Sequence, residues 1–383
     1  MGKVRKSQDA LDGIVPYDPK YLPAEVLLSA NENPHSVPAV VEEEILEGLK
    51  GFAFNRYPDP LANELRDLIA QRENDSLARG GRVCCGAGDA PSESRAGEGG
   101  SFRFTRDSVL VGNAGDELLF DFALAWGGPG RTLLNVTPTF SVYAANAELT
   151  GTKVVEVPRR SDYTLDEDAV IARASQSDVD QVVITSPNNP TGDMVSEDFM
   201  LRLLSATDAL VMLDEAYIEF ADESLARLIE QHENLLVLRT FSKAYSCAGV
   251  RLGYILAQPS VIRELIKVRQ PYSVDAVSQL IGRAVVKNSD AFVSDIEEIK
   301  RQRGLVIDAL RGIAGVSEVF DSRANFVLVR IPGADKVWEQ LYERGILVRD
   351  FSHSRGLENC LRLTIGTAEE NERLLSALKE ILG

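Results

Sequence analysis

Between residues 108 and 257 short apolar runs alternate with amphipathic stretches, and this alternation constrains the fold more than any other feature of the chain. The runs are 109–112, 132–136, 153–157, 181–185, 210–214, 235–239 and 253–257, with helical patterns between several of them, such as 117–126 and 196–206. Strands that are apolar at nearly every position are buried on both faces, which is the condition of a mostly parallel sheet covered by helices. The expected class is α/β. Ligands of such sheets bind beyond the carboxyl ends of the strands, so chemistry is to be sought just after each run.

Beyond Pro271 the pattern changes. A charged helical region at about 290–310 leads into strands near 325–330, 346–349 and 361–365, with helices at 334–344 and 368–382, which reads as a smaller α+β domain. The organisation expected is an N-terminal arm over 1–50 that packs with the small domain, a large domain over 51–270 and a small domain over 271–383. A chain of 383 residues is long enough for such a division. Residues 80–101 hold seven glycines, three serines and a proline and are expected to form a surface loop.

The balance of 41 basic against 58 acidic residues leaves a net charge of −17, which disfavours binding to nucleic acid or anionic membranes while leaving room for a local basic pocket. No run approaches the roughly 18 apolar residues of a membrane span. The basic start, 1–7, is followed by no apolar segment, so a secretory signal is not expected. Cys84, Cys85, Cys247 and Cys360 form no C-x-x-C pair, and His35, His232 and His353 show no metal-ligand spacing, so neither a disulfide framework nor a metal site is expected. A cytoplasmic protein is the expectation.

Three turns fall where strands end: Ser186-Pro187-Asn188-Asn189-Pro190-Thr191-Gly192, Asp214-Glu215-Ala216-Tyr217 and Thr240-Phe241-Ser242-Lys243. Each alone reads as an ordinary turn or surface charge. Together they bring an amide, a carboxylate, a phenol, hydroxyls and an amine to one sheet edge, the set that pyridoxal 5'-phosphate requires. A lysine amine condenses with the aldehyde. A carboxylate at the pyridine nitrogen keeps the ring protonated and able to accept electrons, while amide and phenol groups contact the ring oxygen. Gly112-Asn113-Ala114-Gly115-Asp116-Glu117 follows the first strand and opens a helix, so its amides suit a phosphate. Thr240 and Ser242 add hydroxyls and Arg251 a charge. Phe140, after the second strand, is placed to stack on the ring. Lys243, crowded by Arg251, is a candidate for a lowered pKa and hence a general base.

On these motifs the sequence resembles the fold-type I pyridoxal phosphate aminotransferases, and within them the histidinol-phosphate aminotransferases. The resemblance extends over Leu28-Ser29-Ala30-Asn31-Glu32-Asn33-Pro34, Asn55-Arg56-Tyr57-Pro58-Asp59-Pro60, the turns above, Arg239 to Tyr245, Ala248 to Gly253, Ala324-Asn325-Phe326-Val327 and Leu361-Arg362-Leu363-Thr364-Ile365-Gly366. It implies that Lys243 is the Schiff-base lysine and proton shuttle, that Asp214 pairs with the pyridine nitrogen, and that Asn189 and Tyr217 contact the ring oxygen. It further implies that Gly115, Asp116, Ser242 and Arg251 hold the phosphate, and that Tyr57 reaches the cofactor phosphate of a second subunit in a homodimer. Arg362, with Arg349 and Tyr17, would bind the anionic end of an amine donor such as histidinol phosphate and of a 2-oxo acid, 2-oxoglutarate. The Ala-Gly-Asp phosphate turn, phenylalanine rather than tyrosine at Phe140, and the length of 80–101 depart from the family pattern. An aromatic amino-acid aminotransferase, or a phosphothreonine-type decarboxylase, would use the same cofactor residues.

Overall fold

The computed structural model describes residues 22–82, 102–221 and 223–383. Along them run β1 (Val26–Leu28), α1 (Ala39–Leu49), α2 (Asn63–Ala78), β2 (Val109–Asn113), α3 (Ala114–Trp126), β3 (Thr132–Thr137), α4 (Val142–Leu149), β4 (Lys153–Pro158), α5 (Glu167–Ala174) and β5 (Gln181–Thr185). There follow α6 (Glu197–Ala206), β6 (Leu210–Asp214), β7 (Leu235–Thr240), β8 (Leu252–Ala257), α7 (Pro259–Val268), α8 (Ala276–Lys287) and α9 (Val293–Arg311). The last elements are β9 (Glu318–Val319), β10 (Phe326–Arg330), α10 (Ala334–Glu343), β11 (Ile346–Asp350), β12 (Cys360–Thr364) and α11 (Ala368–Leu382).

Every residue of β5, β6, β7 and β8 is buried, as continuous apolar runs require. They lie inside a seven-stranded sheet of order β2-β8-β7-β6-β5-β3-β4. The pairs β7–β6, β6–β5, β5–β3 and β3–β4 are parallel, while β8 runs antiparallel to both β7 and β2. The reversal of β8 has a functional effect. Its first residues, rather than its last, lie at the edge where the parallel strands end, and the registers Asn113↔Leu252 and Thr240↔Gly253 bring Arg251 there. The register Thr185↔Asp214 sets the turns after β5 and β6 side by side.

Helix starts follow local chemistry. Ser196 accepts from the Phe199 N–H to begin α6, Asp275 caps α8, and Thr367 with Glu370 forms a capping box at α11. A second sheet has the order β1-β11-β12-β10-β9. Here β1, from the N-terminal part of the chain, pairs parallel with β11, and Arg349 of β11 lies opposite Arg362 of β12. α8 packs against α1 and α2. Among the described residues no helix is long and apolar enough to cross a membrane. Cys247 and Cys360 are buried free thiols; Cys84, Cys85 and most of the 80–101 stretch lie outside the described residues.

Behind the ends of β6 and β7 sits a buried ionic cluster. Arg239 Nη1 donates to both carboxylate oxygens of Glu73 on α2, at 3.0 and 2.9 Å, and Nε donates to Glu215 Oε2 at 3.0 Å. Its Nη2 donates to Ser224 Oγ at 2.6 Å, Ser224 donates to Glu215 at 2.7 Å, and the Tyr254 hydroxyl on β8 donates to Glu73 at 3.0 Å. Burial opposes the arginine's charge, but Glu73, Tyr254 and Glu215 more than offset it and hold its pKa well above the ordinary value. Removing the cation leaves two buried carboxylates uncompensated. Arg239→Met should therefore destabilise the fold by about 3–5 kcal/mol. Urea unfolding of the two proteins, followed by far-UV circular dichroism, measures this, and a change below about 1 kcal/mol would show that the cluster does not hold the strand ends.

Candidate active site

The turns after β5, β6 and β7, the starts of α3 and β8, the segment after β1, and β11 with β12 converge on one cavity of about 410 Å³. This lies within the roughly 300–1,000 Å³ typical of small-molecule sites. Its walls include Ala114, Gly115, Asp116, Phe140, Asn189, Asp214, Tyr217, Thr240, Ser242, Lys243, Arg251, Arg349 and Arg362. Residues drawn from across the sequence thus meet at the sheet edge where the parallel strands end.

Asp214, the last residue of β6, is buried and held by two donors. The Tyr143 hydroxyl donates to Oδ2 at 2.6 Å and the Ala216 N–H to Oδ1 at 2.9 Å. Burial pushes its pKa up to about 6, against the opposing pull of these two bonds. It is therefore largely ionised at neutral pH, and a cationic N–H placed against it would draw its pKa down again. Tyr143 in turn accepts from Thr185 Oγ1 at 3.0 Å. The sequence reading missed Tyr143. Its signal was the spacing of three from Phe140 at the start of a helix, and the two rings do meet edge to face at 5.7 Å.

Lys243 is half-buried in the cavity wall, and its Nζ donates to the Ala30 carbonyl at 2.9 Å. Burial, and then the positive charge of Arg362, lower its pKa to about 8. Arg251, the neighbour named from the sequence, is a smaller contributor because Arg362 reaches the amine from the second sheet.

The start of α3 is an anion site by construction. The first amides of a helix have no carbonyl one turn back. The N–H of Ala114, whose φ is +60°, is already committed to the Arg251 carbonyl at 3.1 Å, which leaves those of Gly115 and Asp116 as the first-turn donors at the cavity wall. Arg251 Nη2 donates to Asp116 Oδ2 at 2.7 Å, and Thr240 Oγ1 meets Ser242 Oγ at 2.9 Å. A Cβ on Gly253 would lie 2.9–3.0 Å from Ala114 C, Arg239 O and Gly115 N, so only glycine lets β8 approach this turn.

At the other end, Arg362 Nη1 donates to Asn189 Oδ1 at 2.6 Å and Nη2 to the Ser29 carbonyl at 2.6 Å. The Asn189 amide nitrogen then faces the Tyr217 hydroxyl at 3.5 Å. Leu361 and Leu363 are fully buried on either side of Arg362. Of the other sequence-derived candidates, one lies apart from this constellation and one is not described. Tyr57 is 83 % exposed, outside the cavity, and stacks on Tyr272 at 4.6 Å; Tyr17 lies outside the described residues.

This donor set fits pyridoxal 5'-phosphate: a buried carboxylate, a lysine of lowered pKa, amides at a helix start and an aromatic ring in one wall. The family model of class I and II aminotransferases matches residues 23–378. "Histidinol-phosphate aminotransferase 1" of Carboxydothermus hydrogenoformans is 37% identical over the whole of both chains, and histidinol-phosphate aminotransferase of Chlorobaculum tepidum is 34% identical over 94% of each. The solved histidinol-phosphate aminotransferase of Sinorhizobium meliloti in complex with pyridoxal-5'-phosphate shares the fold with a TM-score of 0.83 at 19% identity, covering 99% of this chain and 98% of that one.

An amine attacks an aldehyde only when neutral. The rate at which cofactor-free protein takes up pyridoxal phosphate covalently should therefore rise with pH and level off above a midpoint near 8. Stopped-flow absorbance across this range tests it. A rate independent of pH there, or uptake undiminished in Lys243→Ala, would remove Lys243 from the reaction.

Proposed function

The chain belongs to the class I and II aminotransferases, and on that premise we propose that this pyridoxal phosphate-dependent enzyme moves an amino group from L-histidinol phosphate to 2-oxoglutarate. The observation that carries the substrate choice is the pair Arg349 and Arg362, opposite each other on β11 and β12 and both in the cavity wall that holds Lys243. A guanidinium fork binds carboxylate or phosphate with two parallel bonds. Arg362 therefore serves the anionic group of either substrate, and Arg349 adds donors that a phosphate with three oxygens can use fully. The names of the relatives, similar over the full length of the chain, support the same reading.

The bound cofactor supplies the electron sink for breaking a bond at the amine-bearing carbon. Around it, the first-turn amides of Gly115 and Asp116, the Ser242 hydroxyl and Arg251 would hold the phosphate. Asp214, fixed by Tyr143 and the Ala216 N–H, would pair with the protonated ring nitrogen, and Phe140 would stack on the ring. Asn189 and Tyr217 would donate to the ring oxygen. Lys243 Nζ, neutral in an appreciable fraction near pH 8, takes the proton from the substrate carbon and returns it. The segment Ser29–Glu32 closes one side of the cavity and limits access of water to these groups.

Tyr57 belongs to the same proposal. Phe54 and Tyr57 are 74 % and 83 % exposed and Tyr272 is 43 % exposed, so this face presents aromatic surface that a second copy of the chain would cover. In that homodimer Tyr57 would reach the partner's cofactor phosphate. Tyr57→Phe should then weaken cofactor retention by about 10–150-fold, the worth of one hydrogen bond to a charged group, without unfolding the subunit. Equilibrium dialysis measures it, and a fully active monomer in sedimentation would contradict it.

A panel of amine donors with 2-oxoglutarate tests substrate choice: histidinol phosphate, phenylalanine, tyrosine and phosphothreonine, scored for glutamate and for released carbon dioxide. Histidinol phosphate should lead by kcat/KM. Arg349→Ala should raise its KM about 10–100-fold while changing that of 2-oxoglutarate less, and Arg362→Lys should raise both about 10-fold. Equal effects on phenylalanine and histidinol phosphate would favour an aromatic aminotransferase, and carbon dioxide from phosphothreonine a decarboxylase.

A further inference from the structure

Asn31 connects the N-terminal segment, the second sheet and the cavity. It is 1 % exposed, with a left-handed φ of +54°. Its main-chain N–H donates to Thr364 Oγ1 at 3.1 Å, and the Thr364 hydroxyl donates back to Asn31 Oδ1 at 3.1 Å. Thr364 lies two residues past Arg362 on the same strand. The Asn31 carbonyl accepts from Asn325 Nδ2 at 3.0 Å, so the residue is fixed on three sides.

This reciprocal pair orients the amide. The Thr364 oxygen already accepts the Asn31 N–H, and the single proton it can give goes to Oδ1. Nδ2 is thereby turned outward, where it donates to the Tyr217 hydroxyl at 3.0 Å. Asn189 reaches the same oxygen from the other side at 3.5 Å, its orientation fixed because Arg362 offers only donors. A phenol oxygen that receives N–H groups directs its own proton away from them. The ring of Tyr217 is meanwhile held edge-on against Phe326 at 5.1 Å.

We propose that Asn31 is a positioning residue for the reaction: clamped by Thr364, it holds the Tyr217 hydroxyl as an acceptor on one side so that its proton is presented to the ring oxygen of the cofactor. This rests on the reading that Tyr217 contacts that oxygen. The charged groups around Tyr217 are Lys243, with Nζ 5.9 Å from the ring centre, Arg362 acting through Asn189, and Asp214 in the same cavity wall. The Ala30 and Ser29 carbonyls that accept from Lys243 and Arg362 lie just before Asn31, so Thr364→Ser, which leaves that segment's contacts in place, serves as the control. A donor to the ring oxygen favours its ionised form, so weakening that donor raises the pH at which the bound cofactor changes colour.

The experiment is a pH titration of visible absorbance on cofactor-loaded protein, with thermal unfolding as a control. Asn31→Gly keeps the left-handed backbone and removes the amide. It should raise the midpoint by about one pH unit, as should Thr364→Val, whereas Thr364→Ser, which keeps the hydroxyl, should titrate like the unsubstituted protein. Tyr217→Phe should raise the midpoint by at least as much, and adding Asn31→Gly to it should produce no further change. An unchanged midpoint in Asn31→Gly or Thr364→Val, or a shift that adds to that of Tyr217→Phe, overturns the proposal. If Asn31→Gly does not fold, Thr364→Val and Thr364→Ser decide between the same outcomes. Unsubstituted protein that gains no visible band with pyridoxal phosphate would instead overturn the cofactor reading itself.

Discussion

The arrangement depends on Arg239. Its guanidinium is fully buried and fully engaged, so the strand that carries it cannot slide relative to α2 or to the end of β6 without unpairing a charge in the core. Asp214 lies one residue before Glu215, and Lys243 four residues after Arg239. Asp214 and Lys243, both in the cavity wall, thus emerge from strand ends pinned to each other from behind. Hydrophobic packing alone would hold β6 and β7 together but would tolerate small displacements. The forked geometry of an arginine does not.

The strands were legible in the sequence because their apolar runs of four or five residues are too short for buried helices and recur between amphipathic stretches. Expected and observed bounds agree closely, as at β5 and β6, where burial on both faces makes the pattern continuous. α3 begins at Ala114, within the 112–117 segment expected to open it and three residues before the amphipathic pattern becomes clear at 117. Much of the cavity wall was also legible, since turns after parallel strands must share one edge. Tyr143 and Asn31 were not. Tyr143 is the second residue of α4 and is buried, so it reads as core, and Asn31 finds its hydrogen-bond partner Thr364 333 residues away, a pairing that no local pattern announces. Arg251 does lower the Lys243 pKa as expected, but the larger contribution of Arg362 could not be read, because Arg362 is a neighbour only after the second sheet has packed against the first.

The charge distribution is uneven in a useful way. The chain carries −17 overall, yet Lys243, Arg251, Arg349 and Arg362 line the cavity alongside Asp116, Asp214 and Glu32. Three of those cations are guanidinium groups that stay charged at any working pH. An anionic substrate is repelled by most of the surface and attracted at this mouth, so the field itself narrows the approach. Added salt screens both effects over about 8–10 Å and weakens the contrast between mouth and surface more than the bonds inside.

The pairing of β1 with β11 has a consequence for biosynthesis. A ribosome delivers the chain from the N-terminus, so the Asn31 segment is made early and its partner Thr364 emerges 333 residues later. At roughly 5–20 residues per second that is a wait of about 15–70 s. During that interval the large sheet can close around its own strands, but the wall that Ser29 to Glu32 provides has nothing to dock on. The pocket therefore stays open on that side until β11 and β12 have been made and the segment after β1 has a sheet to join.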